Sequence, residues 1–468
     1  MQAAAPTLLA RGATMLVSMD AQRRELRHAG LFARNGIIEQ VGPDETLPAT
    51  ADIVLDLSHQ ILLPGLVNCH HHLDQVLTRN LPAGQNAALF AWLAAHYRVW
   101  ARRTPEASRT ATLVGLAELA LSGCTTVFDH AYLFRNGCRI DDQIAAAAEI
   151  GMRFAASRGA MSRGQSRGGT PPDECVEDED AILADSERVI ARYHDPRPGA
   201  MLQVVLAPCS PFSVTERLLR DSATLARSRG VRLHTHLCET MDEERYTLGR
   251  FGKRPVEYMQ DLGWVDADVW YAHAVHVNDR EIATLAAHGT GVCHCPTSNM
   301  RLGSGIAPVM RALQAGVAIG LGVDGSASND GSNMLAETRQ AMLLARLALG
   351  LETNIAPGRE RQAAAWMSAR QALELATRGG AAVLGRDDIG ALEVGRRCDF
   401  FTLDLQTIGY AGGLADPVAA VVFCAPQPAR MTVVDQRIVV QDGRIVTVAM
   451  QAVVAEHNRH AQLLAARA

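Results

Sequence analysis

The sequence is short of lysine: among 468 residues there is one, Lys253, and arginine supplies every other permanently basic side chain. The formal net charge of −5 leaves no broad electrostatic footprint for DNA or RNA, so a small-molecule partner is expected. No apolar run approaches the roughly 20 residues needed to cross a bilayer. The opening MQAAAPTLLARGATMLV lacks the basic, apolar and cleavage segments of a secretory signal, which points to the cytoplasm. Ten cysteines are scattered along the chain, without the dense spacing of a disulfide scaffold, and read as free thiols.

What is present is alternation. A chain this long exceeds one ordinary core and calls for a large domain with a smaller companion. Residues 1–64 read as short strands with turns, including the Asn-Gly signal in HAGLFARNGIIEQVGPD, and 386–468 has the same character before a C-terminal tail. Both ends are expected to build one β-sandwich. Between them, in residues 65–385, LVNCH, TTVFDH, MRFAAS, MLQVVLAP, VRLHTHL, VWYAHAV, GVCHCP and AIGLGVD read as strands separated by helical or polar sequence. The clearest helix follows Thr104 as N-cap, with Pro105 in its first turn and Gly123 past its end. Eight such units predict an α/β fold with a (β/α)8 barrel, whose chemistry gathers at the C-terminal strand ends. A doubly wound sheet would alternate too, but the Gly-rich phosphate turn it normally carries after its first strand is missing.

Ionisable residues sit at four of those strand ends. GLVNCHHHLDQ offers His70, His71 and His72, of which the outer two share a face of an extended chain. HTHLCE offers His234, His236 and Glu239; YAHAVH offers His273 and His276; GVDGSASND offers Asp324. Singly, each reads more readily as a packing residue or a cap. On one rim they match a Zn²⁺ site with an open position.

The series PGLVNCHHH, HTHLCE, AHAVH and GVDG resembles the amidohydrolase superfamily, in the branch of aromatic aminohydrolases that deaminate purines, pterins and triazines. The resemblance spans essentially the whole chain. It implies His70, His72, His236 and Asp324 as metal ligands and Glu239, His273 and Asp324 as catalytic groups, with His71 in a variable position. Many members bridge two metals with a carboxylated lysine from strand four; MLQVVLAPCSP has neither Lys nor Glu, so one Zn²⁺ per subunit is expected, with Fe²⁺ as an alternative. The ion would turn water into hydroxide near neutral pH for attack on an amino-bearing ring carbon. The other zinc-deaminase ligand pattern, H-x-E with P-C-x-x-C, is absent.

Within that branch, LTRNLPAGQNAALFAWL, APCSPFSVT, RPVEYMQDLGWV and SNMRLGSGIAPV are most similar to members acting on 8-oxoguanine. Gln75, Trp92 and Cys209 are then the substrate-binding candidates, each with an alternative as loop amide, core indole or buried thiol. Members acting on guanine carry an Arg-Phe pair where this chain has Pro211-Phe212. The expected reaction is hydrolytic deamination of 8-oxoguanine to urate and ammonia, with isoxanthopterin, guanine and hydroxytriazines as alternative substrates. A cyclic-amide hydrolase or a non-catalytic scaffold are the readings from other classes. His130, Tyr132 and Arg158 also fall at or near strand ends and are left without roles. A homo-oligomer is expected.

Overall fold

The structure is a computed structural model that describes residues 6–355 and 366–466, with the backbone alone at 353–355. The first five residues of the MQAAAP opening lie outside the described residues. Eight parallel strands close a barrel in chain order: Leu66–Asn68, Cys124–Asp129, Arg153–Ala160, Leu202–Pro208, Arg232–Leu237, Val269–His273, Gly291–His294 and Ile319–Leu321. They are the eight apolar segments read from the sequence. Nearly every residue in them is buried, as a parallel sheet covered by helices requires. Val67, Phe128, Val205, Trp270 and Cys293 belong to one packed apolar cluster, so the barrel is a core with chemistry at one rim.

Local signals explain the helices. Pro105–Leu121 begins at Thr104, whose hydroxyl accepts the Ala107 N–H, and the chain turns out of it through Gly123 at φ 86°. Glu216–Arg229 repeats the pattern between Thr215 and a left-handed Gly230.

Both termini build the second layer. A four-stranded sheet from residues 7–56 faces a seven-stranded sheet in which Gln60–Pro64 pairs antiparallel with Phe400–Asp404. Leu8, Leu31, Leu62, Phe400 and Val433 form the core between them. The Asn35-Gly36 turn has φ of 50° and 75°, the left-handed pair that a two-residue hairpin demands. The C-terminal tail contains a 16-residue helix, Met450–Ala465, whose Leu464 joins Val76, Leu77 and Leu81 in a cluster against the segment that follows the first barrel strand. Among the described residues, no helix is long and apolar enough to cross a membrane.

Candidate active site

The first barrel strand ends at Asn68, and the three histidines follow it rather than belong to it. Backbone hydrogen bonds carry the barrel register past the strand ends and fix that segment from both sides. Cys69 N–H donates to Leu321 O at 2.9 Å, Asp324 N–H to His70 O at 3.1 Å, and His130 N–H to His71 O at 2.7 Å. Such close approach leaves no room at Gly322, where a Cβ would lie 2.8 Å from His70 Cβ and 2.6 Å from Cys293 Sγ. His71 turns away from the centre and shares a 2.9 Å hydrogen bond with Ser332 Oγ.

His70, His72, His236 and Asp324 meet at the centre. His70 Nε2 and His72 Nε2 each lie 3.3 Å from Asp324 Oδ1, and His72 Nε2 lies 3.1 Å from His236 Nε2. Hydrogen bonds on the far side of each ring decide what those inward nitrogens are. His72 Nδ1–H donates to His130 O at 2.7 Å, and His236 Nδ1–H to Cys209 O at 2.6 Å. His234 Nδ1–H donates to Trp270 O, so its Nε2 accepts from His70 Nδ1–H at 2.9 Å. All three inward nitrogens therefore carry lone pairs, and they point at one another and at a carboxylate oxygen. Four acceptors facing each other with no donor between them require a cation. Burial pushes His70 down to about 3 and His236 well below its ordinary value, which keeps the rings neutral as ligands must be. The donor set fits a divalent metal.

Next to this cluster is a second pair. His273 Nδ1–H donates to Asn299 Oδ1 at 2.9 Å, while His273 Nε2 lies 3.6 Å from Glu239 Oε2. Burial lowers the affinity of His273 for its proton, but the Glu239 and Asp324 carboxylates outweigh it and the net shift is upward. Burial raises Glu239, and the charge of Asp324 adds to that while His273 opposes it. Asp324 goes the other way: burial acts upward, yet the surrounding imidazoles, His70 first and then His72 and His273, hold it well below the carboxylate range. Two carboxyls a few ångströms from one imidazole are thus driven apart, one towards the acid form and one towards the base. Both His273 (φ 74°) and Asp324 (φ 60°) hold left-handed backbone, a conformation costing about 1–3 kcal/mol that surrounding contacts must over-determine.

A cavity opens over the cluster. Its floor is His72, His236, His273, Glu239 and Asp324, and its walls include Leu89, Trp92, Tyr97, Tyr132, Phe212 and Leu302. The three substrate candidates all reach it. Gln75 is buried, with Nε2 3.5 Å from Tyr132 Oη and Oε1 unpaired. Trp92 is anchored by Nε1–H to Ala327 O at 3.2 Å on the helix Leu89–Trp100. Burial pushes the Cys209 thiol up to about 12, so it presents an S–H.

A profile of the Amidohydrolase family matches residues 61–446. The chain belongs to the amidohydrolase family. It is similar to 8-oxoguanine deaminase from Pseudomonas aeruginosa, with 47% identity over 93% of this chain and 95% of that one. Isoxanthopterin deaminase from an unknown prokaryotic organism is 40% identical over 84% of each chain, and hydroxydechloroatrazine ethylaminohydrolase from a Pseudomonas species is 39% identical over 93% and 91%. The solved structure of atrazine chlorohydrolase from Arthrobacter aurescens complexed with zinc superimposes with a TM-score of 0.89, at 33% identity, over 97% of this chain and all of that one.

Several residues of this amidohydrolase site escaped the sequence. Asn299 supports His273, while His234, which the sequence did offer as a rim group, supports His70 instead of facing the centre. Ser298 and Ser328 both donate to Asp324 Oδ2, at 2.6 and 3.0 Å, from two short helices of six and four residues. Glu243 accepts the N–H groups of Cys238 and Glu239 at 2.9 and 3.1 Å, and burial pushes it up to about 7. Of the residues read as rim groups, His276 lies aside with its ring N–H on Ser304 O, and Arg158 pairs with Glu177 and Asp185. Lys253 pairs with Asp261 at the surface.

Proposed function

We propose that this amidohydrolase deaminates an amino-substituted, purine-like heterocycle by hydrolysis, with 8-oxoguanine and water giving urate and ammonia. The observation that carries the reading is the inward-facing quartet of acceptors at the floor of an aromatic-walled cavity, beside a carboxyl held towards its acid form. We assign His70, His72, His236 and Asp324 to one zinc ion. The absence of Lys and Glu in the strand-four segment MLQVVLAPCSP supports a single ion, and the zinc-bound relative supports its identity, with Fe²⁺ as the alternative. When bound, such an ion supplies Lewis acidity that lowers the pKa of water to about 7.

The side chains supply the rest. Asp324 Oδ1 takes a proton from the attacking water as its oxygen bonds to the amino-bearing ring carbon. His273 Nε2 orients that water and stabilises charge as it develops. Glu239, protonated, gives its proton to the ring nitrogen beside the attacked carbon. The carbon then carries both OH and NH2. Transfer of the proton held on Asp324 to the amino group lets the C–N bond break; as ammonia leaves, the hydroxyl gives up its proton, which restores that of Glu239, and a ring carbonyl remains. Gln75, Trp92 and Cys209 hold the base, Trp92 by stacking and the other two by hydrogen bonds to its edges.

Ammonia release by the zinc-loaded enzyme on 8-oxoguanine, guanine, isoxanthopterin and a hydroxytriazine tests the substrate. Turnover of 8-oxoguanine well above the other three supports the reading; turnover of another base without it refutes the choice of substrate. The reading also takes the enzyme to be a cytoplasmic homo-oligomer, and light scattering on the purified protein checks its mass.

A further inference from the structure

One buried histidine at the rim has no place in that mechanism. His130 follows the second barrel strand and is fully buried. Its Nε2–H donates to Ala207 O at 2.9 Å, which makes Nδ1 the lone-pair nitrogen, and Nδ1 has no hydrogen-bond partner. A buried, unpartnered acceptor is costly, by about 1–3 kcal/mol, unless something fills its lone pair. Among the described residues, two groups of side chains could hold a metal, each with ligand atoms all within 4.8 Å of one another. One is His70, His236, His273 and Asp324; the other is His70, His72, His236 and His130.

Ring positions fit the second group as closely as the first. The His130 ring centroid lies 5.7, 5.3 and 4.8 Å from those of His70, His72 and His236. Those three rings are 4.7 to 5.1 Å from one another. Four imidazoles on one tetrahedral ion, at bond lengths near 2.0–2.1 Å, would be spaced by about 5 Å. All four send one ring N–H outward, to a carbonyl or to His234, and turn the other nitrogen inward.

We propose that His130 completes a second, all-imidazole ion position with His70, His72 and His236, beside the position that uses Asp324. The two share three ligands, so one ion occupies one or the other. With His130 available, the ion keeps four protein ligands when the Asp324 carboxylate is not on it. An all-nitrogen position also takes zinc, copper or nickel in preference to manganese. This inference rests on the single-ion reading given above.

The test compares metal content and zinc affinity, by chelator competition, in the unmodified protein, Asp324→Ala, His130→Ala and the double variant. Asp324→Ala is expected to retain about one zinc, and adding His130→Ala to weaken binding by about tenfold or more. Equal zinc affinity of Asp324→Ala with and without His130 overturns the proposal. X-ray absorption at the zinc edge of Asp324→Ala gives a readout that needs no substitution of His130: four imidazole ligands are expected, and three overturn the proposal. Failure of the unmodified protein to bind any divalent ion would instead overturn the parent reading.

Discussion

Asp324 offers the sharpest test of how the site is held, because its two carboxylate oxygens do different jobs. Oδ1 faces His70 and His72, while Oδ2 accepts the hydroxyls of Ser298 at 2.6 Å and Ser328 at 3.0 Å. Ser298 is fully buried and does not line the cavity, so Ser298→Ala removes one hydrogen bond and creates almost no space. A hydrogen bond to a charged group contributes about 1.5–3 kcal/mol, a factor of about 10 to 150 in an equilibrium. Two effects then oppose each other. The carboxylate becomes more basic, which strengthens it as a ligand, but it is free to rotate and takes up a proton more easily. Orientation prevails in such outer contacts, whose loss weakens metal binding by about 10- to 100-fold. Chelator competition with zinc should therefore show Ser298→Ala weaker by about that factor, and Ser298→Ala with Ser328→Ala weaker still. The folded fraction of the metal-free protein, followed by circular dichroism, controls for unfolding. Zinc affinity that is unchanged or tighter in the folded double variant would refute the role given to these hydroxyls.

Glu239→Gln should keep its metal and lose about 10²–10⁴ in kcat, the usual contribution of general acid catalysis; full activity would remove the proton donor. In the unmodified enzyme kcat should fall as pH rises through the raised pKa of Glu239, and that alkaline limb should vanish in any residual activity of the Gln variant. Glu243 is raised from its ordinary 4.5 to about 7, so its contribution to stability is fully present below about 4.5 and lost as pH rises through 7. Glu243→Gln should flatten the stability profile between those values, read as melting temperature against pH. Gly322→Ala should cost about 1–3 kcal/mol by overpacking against His70 and Cys293 and lower zinc affinity with it; an unaffected melting curve would contradict the close approach described there.

The barrel was legible because its strands are short apolar runs, buried on both faces, each ending abruptly in polar residues. That same boundary marked the rim and, with it, His70, His72, His236, Glu239, His273 and Asp324. What stayed hidden was whatever needed tertiary contact to define it. Ser298, Asn299 and Ser328 lie in helices of one or two turns, too short to leave a periodic pattern, and serve partners 26 or 4 residues away. His130 was visible as a strand-end histidine, but only the hydrogen bond to Ala207 shows which nitrogen faces inward. His234 looked like a ligand candidate equal to His236. Alternation along Arg232–Leu237 gives them the same side of the strand, and depth in the barrel separates them: His234 packs on Phe128 and Trp270, while His236 reaches the cavity. The C-terminal helix buries Val453, His457 and Leu464 on one face, a stripe broken by a histidine that the neighbouring strands gave no reason to look for.

Anomalous diffraction at the zinc edge from crystals of the unmodified, zinc-loaded protein examines the metal centre most directly. One peak per chain is expected, at about 2.0–2.2 Å from His70 Nε2, His72 Nε2, His236 Nε2 and an oxygen of Asp324. No peak among those four side chains, or a zinc ion bound elsewhere in the barrel, would contradict the deaminase mechanism at its root.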